Sequence, residues 1–157
     1  MSDDVLRIAT PDDFQEIFRI CCLLHHENGS HGFNELKVRS AIWRCVNRDK
    51  AMAAVIGPPN DIKAMILLTI EEVWYSDDHE IIERGVFVRA DCRKTDYAKQ
   101  MIRFAKRCAE DTGLFVSIGI ISDDRLAAKR RLYERELKIG GYWFIVKPRR
   151  AEHAEAA

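Results

Sequence analysis

The sequence lacks an excess of charge of either sign. Its 157 residues carry 25 lysines and arginines against 25 aspartates and glutamates. A general nucleic-acid binder gains its affinity by neutralising phosphates and therefore needs a basic excess. The balanced composition argues against nucleic acid as a partner, although a local basic patch remains compatible with it.

Paired cysteine motifs are absent as well. The five cysteines are odd in number, none forms a CxxC pair, and most fall at apolar positions of apparent helices. Reduced cysteines that act as small apolar residues fit this pattern, so we expect a cytoplasmic protein. Cys21 and Cys22 with His25 and His26 do not have the spacing of a structural zinc site, and we expect no metal.

Long apolar runs are missing too. No segment approaches the length of a bilayer span, and the opening Ser2-Asp3-Asp4 does not resemble a secretory signal, so we expect no membrane partner. The length and the 47% of apolar residues suit one domain with its own core. We expect that domain to cover residues 1–147, followed by a frayed or disordered tail over residues 148–157.

The chain alternates between strand and helix patterns. Strands are predicted at "VLRIAT", "AMAAVIG", "IKAMILLTIEEVWY", "IIERGVFV", "LFVSIGII" and "GYWFIVK", and four amphipathic helices lie between them in the order β-α-α-β-β-β-α-β-α-β. Three consecutive strands imply antiparallel pairing, and the crossover over residues 81–121 implies a parallel pair. We therefore expect an α/β fold with a mixed, mostly antiparallel sheet of six to seven strands and helices on both faces.

The segment "VFVRADCRKTDYA" connects a strand to the start of a helix. The first backbone N–H groups of a helix have no partner inside it, and the helix dipole favours an anion there. Arg93 and Lys94 add positive charge. The segment fits a phosphate or pyrophosphate ligand, but an ordinary solvated turn capped by Thr95 or Asp96 fits it as well.

The element order and this segment together resemble the GNAT N-acetyltransferase superfamily, from about Val5 to Lys147. In that family the corresponding strand precedes a loop of pattern Q/R-x-x-G-x-G/A, whose amides hold the pyrophosphate of acetyl-CoA. The matching positions here are Arg93, Lys94, Thr95, Asp96, Tyr97 and Ala98. Arg93 and Ala98 fit the pattern, whereas Asp96 replaces the first glycine and brings a negative charge towards the anion.

The resemblance also implies roles for other residues. Main-chain groups of Phe87, Val88 and Arg89 would pair with the pantetheine arm of acetyl-CoA. Tyr133, in "LYER", would lie near the cofactor sulfur as a general acid. Glu83 is our first choice for the base that deprotonates the amine.

Strand alternation puts Glu83 on the same face as Gly85 and Phe87. Glu72 and a water chain are the alternatives for the base. The substrate side would be formed by the loop "HHENGSHGFN", which includes Glu27.

Three functions remain open from the sequence. The first is an acetyltransferase that moves an acetyl group from acetyl-CoA to a primary amine of a small molecule or protein, by direct attack in a ternary complex. The second is a GNAT-fold protein without turnover that acts as a protein-binding or regulatory module. Exposed Trp143 and Phe144 on the last strand would favour a homodimer or another partner. The third and weaker alternative uses Cys92 as a nucleophile, because a thiol pKa can fall near a helix N-terminus.

Overall fold

The structure is a computed structural model that describes residues 4–121 and 125–141. Short 3-10 turns lie at Pro11–Asp13 and Ala90–Cys92. The main elements are β1 (Leu6–Ile8), α1 (Phe14–Asn28), α2 (Glu35–Asn47), β2 (Ala51–Ile56), β3 (Ala64–Glu72), β4 (His79–Val88), α3 (Tyr97–Thr112), β5 (Phe115–Ser117) and α4 (Leu126–Glu136).

One open sheet organises these elements. The strands lie in the order β1-β2-β3-β4-β5. The first three pairings are antiparallel and β4 pairs with β5 in parallel. The predicted mixed α/β fold is confirmed, but the described residues form five strands rather than six to seven. The predicted last strand, apart from Gly141, and the predicted tail over residues 148–157 lie outside the described residues, as do Trp143 and Phe144.

The sheet is covered on both faces. On one face, the α1 residues Ile17 and Ile20 pack with the β3 residue Met65. On the other face, the α3 residue Met101 packs with Ile66 and Leu68. Neighbouring β3 residues therefore enter opposite cores. This explains why β3 reads as an apolar run without alternation, as predicted for a strand covered on both sides.

Local signals set most element ends. The Asn34 side chain accepts a hydrogen bond from Lys37 N at 3.0 Å and caps α2. Gly113 ends α3 with a φ of 70°. Pro11 lies in a 3-10 turn, and α1 begins at Phe14. Among the described residues, no helix combines the length and the apolar character that a bilayer span requires.

Candidate active site

The parallel pair of β4 and β5 is short and opens into a cleft. β4 has ten residues and β5 has three. Their register runs only from Glu80 opposite Phe115 to Ile82 opposite Ser117. Within the described part of the chain, the β4 edge that faces away from β3 has no strand partner beyond Ile82. We call this opening the cleft.

A bulge in β4 determines which way Glu83 faces. Leu67 pairs with Gly85 but Leu68 pairs with Glu83, so Arg84 is an extra residue on β4. Leu67 belongs to the core under α1 and α2, whereas Leu68 belongs to the core under α3.

Directly paired residues of an antiparallel ladder share a face. Glu83 therefore lies on the α3 side, while Gly85 and Phe87 lie on the α1 side. The expectation that all three share a face is wrong, because the bulge interrupts the alternation.

Glu83 and Tyr133 lie close enough to influence each other. Burial raises the pKa of the Glu83 carboxyl to about 7, against a hydrogen bond from the Gly119 backbone and the nearby charges of Lys129 and Arg84. Burial, followed by the charge of Glu83, raises the pKa of the Tyr133 phenol well above its usual value. The residue selected as acid therefore lies within electrostatic reach of the residue selected as base.

The other candidate base lies elsewhere. Glu72 is exposed at the end of β3 and pairs with His79 at the start of β4. Glu83 lies further along β4, next to the bulge, so Glu72 is at the end of the strand pair that is remote from the start of α3. The structure does not bring Glu72 to Tyr133.

The main-chain N–H and C=O groups at the end of β4 point alternately to β3 and to the cleft. Arg89 N donates to Lys63 O at 2.9 Å, so the Arg89 N–H faces β3. Successive residues of a strand direct their N–H and C=O groups to alternate edges. The N–H and C=O groups of Val86 and Val88 therefore point to the cleft, whereas those of Phe87 and Arg89 point to β3. Val88 fits the expected pairing role, Phe87 and Arg89 do not, and Val86 was missed although the same alternation would have identified it.

The loop before α3 is held by Thr95 rather than by Asp96. Thr95 Oγ1 donates to Cys92 O at 2.6 Å and accepts from Tyr97 N at 3.3 Å. The Asp96 carboxylate accepts from the Gln100 side chain at 2.8 Å and caps no backbone N–H. Asp96 therefore turns towards the second turn of the helix.

The start of α3 presents backbone donors. Among the described residues, none accepts a hydrogen bond from the N–H of Asp96, Ala98 or Lys99. Lys94 is exposed beside them. These N–H groups could hold an anion at the mouth of the cleft, as the loop pattern predicts.

The Arg93 side chain crosses from this loop to α1. Its Nη2 atom lies 2.7 and 2.6 Å from the two carboxylate oxygens of Glu27. Its Nε donates to Val88 O at 3.2 Å. The Arg93 guanidinium therefore hydrogen-bonds to Val88 O, the carbonyl at the end of β4 that points to the cleft.

Further charges surround the cleft. The pKa of Lys129 on α4 is lowered by burial and by the neighbouring Arg125. The charges of Glu27 and Glu83 oppose this shift only in part. Lys129 therefore lies within electrostatic reach of both carboxylates. In the ranges that the structure describes, no three His, Cys, Asp or Glu side chains converge in a way that could hold a metal ion.

Several candidate side chains serve the fold instead. The Tyr97 hydroxyl donates to Asp4 Oδ2 at 2.7 Å, and this bond raises the pKa of Tyr97 to about 12. The Arg89 guanidinium binds Asp91 and Asp61. Burial and a hydrogen bond to Asp91 raise the pKa of Cys92. The expectation of an activated Cys92 thiol is therefore wrong, because its neighbour is an acid.

Comparison with known proteins identifies the fold. No protein-family model matches the chain, and no curated protein matches it. A predicted acetyltransferase with acetyl-CoA from Clostridium acetobutylicum superposes with a TM-score of 0.71 at 10% identity, over 91% of this chain and 95% of that one. AAC(6')-Iy, in complex with a bisubstrate analog containing CoA, gives 0.68 at 13% identity over 92% and 97%. A ribosomal-protein-alanine N-acetyltransferase from Brucella melitensis gives 0.66 at 12% identity over 92% and 97%.

Proposed function

Because the chain has the fold of these acetyltransferases, we propose that it is a GNAT-type N-acetyltransferase. It would move an acetyl group from acetyl-CoA to a primary amine of a small molecule or protein, by direct attack in a ternary complex. The observation that carries the proposal is the cleft itself. The β4 edge is open beyond Ile82, Glu83 on β4 influences Tyr133 electrostatically, and the N–H groups at the start of α3, which follows β4, have no acceptor among the described residues.

Acetyl-CoA fits the polar groups around the cleft. It would supply the acetyl thioester when bound. The N–H and C=O groups of Val86 and Val88 point in the direction that the amides of the pantetheine arm require, and Val88 O accepts from Arg93 until that bond is released. The N–H groups of Asp96, Ala98 and Lys99 would hold the pyrophosphate at the start of α3, where the helix dipole favours negative charge.

Glu83 suits the role of general base. An amine attacks only when neutral, so its proton must go to an acceptor first. A carboxyl group with a pKa of about 7 can accept that proton near neutral pH, directly or through a water molecule. The rate should therefore rise with pH through about 7, as Glu83 loses its own proton.

Tyr133 suits the role of general acid. When the amine nitrogen bonds to the acetyl carbon, the carbon–sulfur bond breaks and a thiolate leaves. The Tyr133 phenol carries its proton at neutral pH, so its O–H is available to protonate that thiolate. Burial and the charge of Glu83 raise its pKa and weaken it as an acid, and the second of these effects ends when Glu83 takes up the amine proton. The products are then an amide and free coenzyme A.

A second function is supported by the loop before α3. Asp96 places a carboxylate beside the proposed pyrophosphate position, and Arg93 occupies Val88 O. Both features would weaken acyl-CoA binding. If binding is lost, the chain is a GNAT-fold module that binds a protein partner without turnover, because a fold alone does not fix an activity.

Replacement of Tyr133 tests the enzyme proposal. The protein is incubated with acetyl-CoA and a panel of primary amines, and free coenzyme A is quantified by chromatography, because the exposed Cys22 would react with thiol reagents. Tyr133→Phe should lower kcat about 10²- to 10⁴-fold while acetyl-CoA still binds, since only the proton donor is lost.

Tyr75→Phe is the matched control, because Tyr75 is 74% exposed on the turn between β3 and β4. It should leave the rate unchanged. An unchanged rate in Tyr133→Phe would remove the acid role, and no turnover with any amine would favour the binding module.

A further inference from the structure

Arg93 holds the loop before α3 against the end of α1. Both carboxylate oxygens of Glu27 accept from one guanidinium nitrogen, and a second nitrogen donates to Val88 O. The two side chains are 26% and 37% exposed, so the ion pair is only partly open to solvent. A single arginine thus connects three separate elements around the cleft.

Glu27 has a particular need for a cation. It lies in the last turn of α1, where the partial negative charge of the helix C-terminus disfavours a carboxylate. Lys129 influences Glu27 through its charge but forms no ion pair with a described residue. Arg93 is therefore the cation that compensates Glu27 directly.

The position of Arg93 conflicts with ligand binding in two ways. Val88 O faces the cleft, and it cannot accept fully from both Arg93 and an incoming amide N–H. The guanidinium also points to Glu27, although it belongs to the loop whose N–H groups are proposed to bind the pyrophosphate. A bound pyrophosphate would compete with Glu27 for the same cation, because phosphate oxygens bind arginine as carboxylates do.

We propose that Glu27 is a positioning residue that holds Arg93 in a latch and so opposes coenzyme A binding. This inference rests on the proposed function. In the free protein, Arg93 covers the end of the β4 edge. When coenzyme A enters, Arg93 leaves Glu27 and Val88 O and turns to the pyrophosphate. Glu27, which is not itself expected to contact the cofactor, thus sets the affinity for it through Arg93.

Removal of the Glu27 charge tests the latch. Titration calorimetry with coenzyme A measures Kd for the wild type and for Glu27→Gln, which keeps the side-chain shape. Loss of this partly exposed ion pair in Glu27→Gln should lower Kd for coenzyme A about 2- to 5-fold. The direction distinguishes a latch from a structural contact, because loss of a supporting contact would weaken binding.

Two controls make the test specific. In an Arg93→Gln background, Glu27→Gln should leave Kd unchanged, since no guanidinium remains to be released. Glu16→Gln removes a second pair on α1, in which both carboxylate oxygens also bind one guanidinium, that of Arg19, and it should not change Kd.

The outcomes separate the latch from the function beneath it. Tighter binding in Glu27→Gln that disappears in the Arg93→Gln background supports the latch. Equal or weaker binding in Glu27→Gln, with a wild type that binds, overturns the latch and leaves the proposed function standing. No binding in any variant overturns both.

Discussion

At the scale of single residues, Glu83 lowers the stability of the fold at neutral pH in addition to its proposed role as the base. Its folded-state pKa is about 7, above the ordinary value of 4.5. The native state therefore binds the carboxyl proton more tightly than the unfolded chain does. The free energy of unfolding therefore falls as pH rises from about 4.5 to about 7, because the unfolded chain loses the carboxyl proton first. Above about pH 7 the native state carries the charged carboxylate, and the loss of stability is complete. The same burial that suits Glu83 to the proposed base role near neutral pH destabilises the fold.

Glu83→Gln should consequently stabilise the protein at pH 8. The gain is on the order of 3 kcal/mol from the size of the pKa shift, and it should shrink towards zero near pH 4.5. Denaturant unfolding at the two pH values measures it. Glu72→Gln, at an exposed position of β3, is the control without a comparable gain. A variant with the same stability as the wild type at pH 8 would contradict the buried carboxylate.

Individual residues also show where sequence reasoning reaches its limit. Glu83 and Tyr133 were selected from the family resemblance, and their roles stay predictions, although the charge of Glu83 reaches Tyr133. The face of Glu83 was predicted wrongly, because a bulge depends on how two strands pair and leaves no mark in the alternation of one strand. The contact between Arg93 and Glu27 joins residues 66 positions apart, so no local pattern could have revealed it.

At the scale of elements, the turn between β2 and β3 depends on Gly57. Its φ of 109° is rarely adopted by residues with a side chain. A Cβ atom built there would also lie 2.3 Å from Asp61 O. Backbone conformation and space both require glycine at position 57. The turn that this glycine permits connects the antiparallel strands β2 and β3.

Gly57→Ala should therefore destabilise the protein by about 3 kcal/mol or more, because the turn must distort to admit the methyl group. Gly32→Ala offers a matched control, since nothing lies within 4 Å of a Cβ built at Gly32. It should change stability by less than about 0.5 kcal/mol. Urea unfolding of both variants gives the comparison, and similar losses in the two would contradict the strained turn.

Elements were predictable where one residue or one period determines them. Asn34 and Gly113 mark helix ends through their own side-chain and backbone chemistry, and the apolar stripes gave the order of elements. β5 was predicted over "LFVSIGII" but covers only Phe115–Ser117. Its end is set by the splay from β4, which is a property of the pair and not of either strand.

At the scale of the whole molecule, the cleft follows from the sheet. Two cores on opposite faces fix β3 at the centre, and β4 continues past the end of its parallel pairing with β5. α4 then places Tyr133 near Glu83, held to α3 by ion pairs of Glu136 with Arg103 and Lys99. The fold persists at 10 to 13% identity with known acetyltransferases because it depends on apolar patterning more than on particular residues.

The central claim is that this cleft binds acetyl-CoA, and thermal unfolding tests it most directly. The wild type and Asp96→Gly are melted with and without millimolar acetyl-CoA. A ligand at a hundred times its Kd that binds only the native state adds about 2.7 kcal/mol, which raises Tm by several degrees. We predict a clear rise in the wild type, because Asp96 turns to Gln100 and leaves the N–H groups of α3 available. No rise in the wild type would contradict the account, and a rise in Asp96→Gly alone would identify Asp96 as the residue that closes the site.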